Sequence, residues 1–340
     1  MNKALSFLVS LLFAGMCLSV SLATAADITL SYANFPPAPT FPCVQMEHWA
    51  AEVEKRTKGA VDVQTYPGST LLGAKNMWDG VIQGQADIGC ISLAYQPGVF
   101  PMLSVLEQPF GFSSATVASL ALYDLWERYQ PEEFKRVKVL TMFTSAPSNI
   151  MSKEAVRDLS DLKGLEIRAS GGASTVMKLL GATPVSMPAS ETPEALQKGL
   201  VKGVFSSFDW LKDFNFAEYL PYATVTNLQV YPFAVIMNKQ SWERLPSEVK
   251  QVFDDLRREQ SLWTGSYLDD HIEESLAWSK KKYDLEVITL PEEQLAAANR
   301  QLSVMVEDWK ATARAASIDA DAVVADLLAS KALLEERYGR

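Results

Sequence analysis

The chain has 340 residues, 48% of them apolar, and sets 41 acidic against 31 basic side chains for a formal charge of −10. Such a chain repels phosphate backbones, and its longest basic run, Lys280-Lys281-Lys282, is too short to offset that, which excludes nucleic-acid binding. The length and apolar content suffice for two moderate cores, so the size favours two lobes.

Lys3 precedes an apolar run from Leu5 to Val20 that ends in Ser21-Leu22-Ala23-Thr24-Ala25-Ala26. This pattern is a secretory signal peptide over residues 1–25, too short in its apolar part to span a bilayer, with cleavage expected after Ala25. A lipid anchor on Cys17 is disfavoured by the bulk of Met16 before it. The expected location is the periplasm, where Cys43 and Cys90 could either pair or remain buried thiols.

Ile28 to Ala33 reads as a strand, Val44 to Thr57 as a helix closed by Lys58-Gly59, and Val61 to Tyr66 as the next strand. Ala74 to Gln83 is helical, and Ala86 to Ser92 is an apolar run suited to a buried parallel strand. Ser114 to Tyr129 has helical spacing and Val137 to Phe143 is strand-like. Leu165-Glu166-Ile167-Arg168 is a short strand ending on a charge, followed by Ala169-Ser170-Gly171-Gly172 and a helix from Ala173 to Leu180. An arginine at a strand's carboxyl end lies where open α/β sheets bind ligands. A turn and strand over Gly181 to Val185, a helix from Thr192 to Lys198 and a strand from Gly203 to Phe208 follow. Pro246 then opens a helix over Ser247 to Tyr267 that continues through Lys282, and the C-terminal part is helical.

The stretch Asp161-Leu162-Lys163-Gly164 with Arg168, Leu180-Gly181-Ala182-Thr183-Pro184-Val185, Glu191, and Ala195-Leu196-Gln197-Lys198-Gly199 with Val201 and Gly203 resembles the substrate-binding proteins of tripartite ATP-independent periplasmic (TRAP) transporters, the DctP-like family. Tyr66-Pro67-Gly68-Ser69, Gly84-Gln85-Ala86-Asp87-Ile88 and Leu245-Pro246 extend the likeness over nearly the whole mature chain. The resemblance implies an α/β, two-lobed periplasmic binding protein fold with a ligand cleft between the lobes, two crossing strands and a long connecting helix. Lobe I is expected to comprise residues 26–148 with about 234–275, and lobe II residues 149–233 with the C-terminal helices of about 276–340. The resemblance further implies a monomer that catalyses nothing, needs no cofactor or metal, and delivers a small organic acid to the small and large membrane subunits of a permease.

In that family the arginine matching Arg168 holds the ligand carboxylate, as a rigid guanidinium fork can; a purely structural arginine is the alternative. Against the sialic-acid-binding branch, this chain places Ser148, Ser92, Tyr95 and Ala189 where that branch puts polar, charged or aromatic contacts, and Ser206 where it puts Asn; Asn34 is retained. Losing charged partners while keeping aromatics points to one carboxylate on a bulky, less polar body, such as an aromatic acid. The expected ligand residues are therefore Arg168, Asn34, Phe35, Ser92, Tyr95, Ser148, Gly171, Ala189, Ser206, Phe208, Asp209 and Trp210, with Phe41 and Trp78 as further candidate walls.

An exported hydrolase is the rival from another class, but His48 and His271 form no metal-spaced cluster and no Gly-x-Ser-x-Gly elbow occurs. A binding protein for an ABC importer or a sensor kinase is the nearer alternative, because lobe closure serves any of these partners.

Overall fold

The computed structural model describes residues 27–339, so the expected signal peptide lies outside the described residues. The chain forms β1 (Ile28–Ala33), α1 (Phe41–Arg56), β2 (Val61–Tyr66), α2 (Met77–Ile82), β3 (Ile88–Ser92), α3 (Ala115–Tyr129) and β4 (Val137–Thr144). It continues with β5 (Asn149–Ser152), β6 (Glu166–Arg168), α4 (Gly172–Leu179), β7 (Thr183–Val185), α5 (Thr192–Gln197), β8 (Gly203–Ser206), α6 (Trp210–Asp213) and β9 (Tyr222–Val225). The last elements are β10 (Pro232–Asn238), α7 (Lys239–Arg244), α8 (Ser247–Tyr283), β11 (Glu286–Thr289), α9 (Glu292–Leu302), α10 (Val304–Ala315) and α11 (Ala320–Tyr338). Among the described residues no helix is long and apolar enough to cross a membrane.

Two sheets result, in the orders β2-β1-β3-β10-β4 and β11-β9-β5-β8-β6-β7. β1 runs parallel to β2 and β3, as expected for βαβ units, whereas β10 is antiparallel to both β3 and β4. The chain therefore crosses between lobes at residues 145–148 and returns at residues 226–231. The two crossings pair: Ser145 N donates to Tyr231 O at 2.9 Å and Ser148 N to Gln229 O at 2.7 Å.

The third tie is α8, whose 37 residues extend about 55 Å. It packs on α1, α3 and β4 of the first lobe and on α6 of the second. Its buried positions include Ser261, Thr264, Gly265, Ser275 and Ser279, small enough to let neighbouring backbones come close. At Gly265 a Cβ would lie 2.5 Å from Thr116 Cα and 2.9 Å from Thr116 N. Four residues on, Asp269 accepts from Ala115 N at 2.7 Å, from Thr116 N at 3.1 Å and from Thr116 Oγ1 at 2.6 Å, capping α3. Gly265→Ala is expected to cost about 1–3 kcal/mol, because the clash is with backbone rather than a movable side chain. A melting temperature equal to wild type in a thermal scan would contradict that close packing.

The assignment of residues 276–340 to the second lobe needs correction. α9 does sit there: Gln294 Nε2 donates to Asp158 Oδ2 at 2.6 Å. α10 and α11 instead return to the first lobe. Trp309 Nε1 donates to Pro101 O at 2.9 Å, and Tyr129 Oη at the end of α3 donates to Asp326 Oδ2 at 2.6 Å. Cys43 and Cys90 are both free and buried, and burial pushes the Cys43 thiol up to about 12.

Candidate functional site

β6 lies between β8 and β7 and delivers Arg168 to its carboxyl end, facing the seam between the lobes. The side chain is 1% exposed. Nε donates to Met187 O at 3.1 Å, and Nη2 donates to Met187 O at 2.7 Å and to Tyr95 Oη at 2.8 Å. The guanidinium carbon stands 4.9 Å from the Trp210 ring centroid. One edge of the fork is thus consumed by the protein itself, while Nη1 makes no hydrogen bond to the other described residues.

Tyr95 comes from the first lobe, in the short turn after β3. Its hydroxyl accepts from Arg168 Nη2 and also from Ala189 N at 3.0 Å. With both lone pairs engaged, the phenolic proton is left to donate elsewhere.

Beside these groups a small cavity opens between the lobes. The first lobe lines it with Phe35, Pro36, Thr40, Phe41, Pro42, Ser92 and Tyr95; the second with Arg168, Ala189, Ser206, Trp210 and Phe214. The crossings and β10 contribute Ser145, Tyr231 and Phe233. Arg168 is the one charged side chain among these. Phe233 is a hub for the apolar wall: it stacks on Phe35 at 6.5 Å and meets Phe41 edge-on at 5.5 Å. On the facing wall Trp210 packs on Phe214 at 4.8 Å. Thr40 Oγ1 is committed to Pro37 O and Ser145 Oγ to Ala146 O. The Ser92 and Ser206 hydroxyls make no hydrogen bond to other described residues, so both remain available to a solute.

Several residues expected at the ligand do not line the cavity. Asn34 lies behind it: Nδ2 donates to Pro42 O at 2.9 Å and Oδ1 accepts from Phe35 N at 3.0 Å, which shapes the loop carrying Phe35 to Pro42. Ser148 is buried in the crossing, where Oγ accepts from Gln229 Nε2 at 3.1 Å. Gly171 sits at the lobe seam beside Ala94 and Glu107. Phe208 faces a separate groove against Ile272 and Leu276 of α8, and its carbonyl accepts from Ser275 Oγ at 2.7 Å. Asp209 is buried beneath α6, and Trp78 packs edge-on against Phe100 in the first-lobe core. Conversely, Thr40, Ser145, Phe214, Tyr231 and Phe233 were missed. The crossing strands implied by the resemblance were the available signal for Ser145, Tyr231 and Phe233.

A solute entering this cavity is enclosed by both lobes and touches the segments that join them, which is how a receptor converts occupancy into a change of shape. The architecture is that of a two-lobed solute-binding protein. The DctP family model, bacterial extracellular solute-binding protein family 7, matches residues 35–312, and the chain belongs to that family of solute-binding receptors.

A TRAP periplasmic solute-binding protein of Desulfovibrio salexigens is 62% identical, with 93% of this chain and 98% of that chain covered and a TM-score of 0.83. That structure is an open complex with the C-terminus of a symmetry mate in its ligand-binding site. A TRAP solute-binding protein of Bordetella bronchiseptica with bound (R)- and (S)-mandelate is 26% identical over 90% of this chain and 99% of its own, at a TM-score of 0.84. The C4-dicarboxylate-binding periplasmic protein of Rhodobacter capsulatus is 27% identical over 72% of this chain and 75% of its own.

Proposed function

We propose that the protein is the periplasmic receptor of a TRAP transporter for an aromatic monocarboxylate, which it hands to the small and large membrane subunits of its permease. The observation that carries this reading is the pairing of one charged side chain, Arg168, with a wall of Phe35, Phe41, Trp210, Phe214, Tyr231 and Phe233. The ligand carboxylate meets Arg168 Nη1 and the Tyr95 hydroxyl proton, with Ser92 and Ser206 within the same cavity for a ring hydroxyl or a second oxygen. A second carboxylate would enter without a cation to receive it, at a desolvation cost of several kcal/mol. Burying an aromatic body of about 150–250 Å² at about 25 cal/mol/Å² supplies roughly 4–6 kcal/mol before association costs.

The reading is one of binding rather than turnover. His48 stacks on Trp263 at 3.6 Å and His271 pairs with Asp213 at 2.7 Å; neither lines the cavity. A thermal-shift panel tests the ligand class, because a solute that binds the folded state at about 100 times its Kd adds about 2.7 kcal/mol of stability. Benzoate, mandelate and 3-hydroxybenzoate should each raise the melting temperature by several degrees, whereas succinate and galactonate should leave it unmoved. The reverse order would overturn the aromatic reading.

A further inference from the structure

The first lobe touches the second at a place outside the solute cavity. Leu103–Glu107 forms a short 3₁₀ turn, pinned from behind by Trp309 of α10, whose Nε1 donates to Pro101 O and to Ser104 Oγ. At its end Glu107 is 7% exposed, and Oε2 accepts from Gly172 N of the second lobe at 2.6 Å. Gly171 and Gly172 are bare because of this contact. A Cβ on Gly172 would fall 2.8 Å from Glu107 Cβ, and one on Gly171, where φ is +56°, would fall 2.8 Å from Ala94 Cβ. Only Ala169 and Ser170 separate this pair from Arg168, so the seam and the solute anchor move as one body.

We propose that Glu107 is a positioning residue for solute capture, a latch whose carboxyl meets the Gly172 amide only when the lobes close, so that closing the receptor takes up a proton. The inference rests on the reading that the cleft captures its solute by lobe closure. In the open form the carboxyl faces water. In the closed form burial, opposed by the Gly172 hydrogen bond, pushes it from its usual 4.5 up to about 7. On the cavity side the titratable group that interacts with it is Tyr231, while α10 presents the uncharged Thr312, Ala315 and Ala316. The sign follows. The closed form keeps the proton up to about pH 7 and the open form releases it near 4.5, so closure is favoured at low pH and loses that advantage as pH rises to 7. A carboxylate ligand nearby repels ionised Glu107 and acts in the same direction.

The test is calorimetry with benzoate at about pH 5.5 and about pH 8 on wild type, Glu107→Gln and Glu107→Ala. Wild type should bind about tenfold more weakly at the higher pH. Glu107→Gln keeps an oxygen for the Gly172 amide but cannot ionise, so it should bind equally at both values, close to wild type at the lower one. Glu107→Ala should bind more weakly at both. A wild-type affinity indifferent to pH, or a glutamine variant with the wild-type pH slope, overturns the latch. If benzoate gives no heat with wild type, the aromatic reading fails on its own, and the latch is read from small-angle scattering of the free protein. There the radius of gyration should fall at the lower pH in wild type and not in Glu107→Gln; identical profiles overturn the latch.

Discussion

Arg168→Ala should weaken binding of an aromatic acid such as benzoate at least about a hundredfold, the equivalent of roughly 3–5 kcal/mol. The size of the loss follows from burial. Arg168 is 1% exposed and closes the cavity from beneath, so without it a carboxylate must leave water with no cation to meet it. The contact also explains why lysine should fail. The guanidinium spends Nε and Nη2 on Met187 O, spends Nη2 again on Tyr95 Oη, lies against Trp210, and still has Nη1 for the ligand. An ammonium is a point donor on a flexible stem and cannot serve the Met187 carbonyl, the Tyr95 hydroxyl and a carboxylate across that span. Calorimetry on Arg168→Ala and Arg168→Lys measures both. A loss below about fivefold, near 1 kcal/mol, would mean that the anion is held elsewhere.

What the sequence made legible is what local pattern controls. β1, β2 and α3 are visible as period-2 and period-3.6 runs between turn residues, and β6 as a short run that ends on Arg168. The direction of β10 is not visible, because its seven residues are all buried and an apolar run carries no record of its neighbours. The position of α11 is hidden for a related reason. Its contact with α3 depends on Asp326 meeting Tyr129 Oη, a pairing across 197 residues. The site divides along the same line. Phe35, Ser92, Tyr95, Arg168, Ala189 and Ser206 lie at strand ends or in the loops after them, Trp210 opens α6 just beyond β8, and all seven line the cavity. Ser148 shows the limit of reasoning from position. It stands where the sialic-acid-binding branch is expected to put a ligand contact, but here its hydroxyl is buried in the crossing and accepts from Gln229. Tyr231 and Phe233 reach the cavity because the chain crosses the cleft, a fact of topology rather than of composition.

Asp209→Asn should stabilise the protein at neutral pH while leaving solute affinity within about twofold. Asp209 was expected at the ligand, but it is fully buried between β8 and α6, and neither carboxylate oxygen has a hydrogen-bond partner among the described residues. Asp213 stands close by with its own partner, accepting from His271 Nε2 at 2.7 Å. Burial first, and the Asp213 charge second, push the Asp209 carboxyl up to about 8, while the Asp213 hydrogen bond raises His271. At neutral pH Asp209 is therefore protonated beside the hydrogen-bonded Asp213–His271 pair. An unfolded chain ionises this carboxyl near 3.8, so the folded state is penalised increasingly from there to about pH 8, and the penalty is absent below 3.8. Asparagine has the same outline and nothing to ionise. Thermal melts of wild type and Asp209→Asn should nearly coincide at about pH 4 and separate by several degrees by about pH 7. Parallel curves across that range would mean that Asp209 is ionised and partnered in the folded state. Solute affinity is the control that separates the two roles: Trp210, the next residue, touches the cavity and Asp209 does not. A variant that gains stability and keeps its affinity locates Asp209 in the scaffold that holds Trp210 against Arg168.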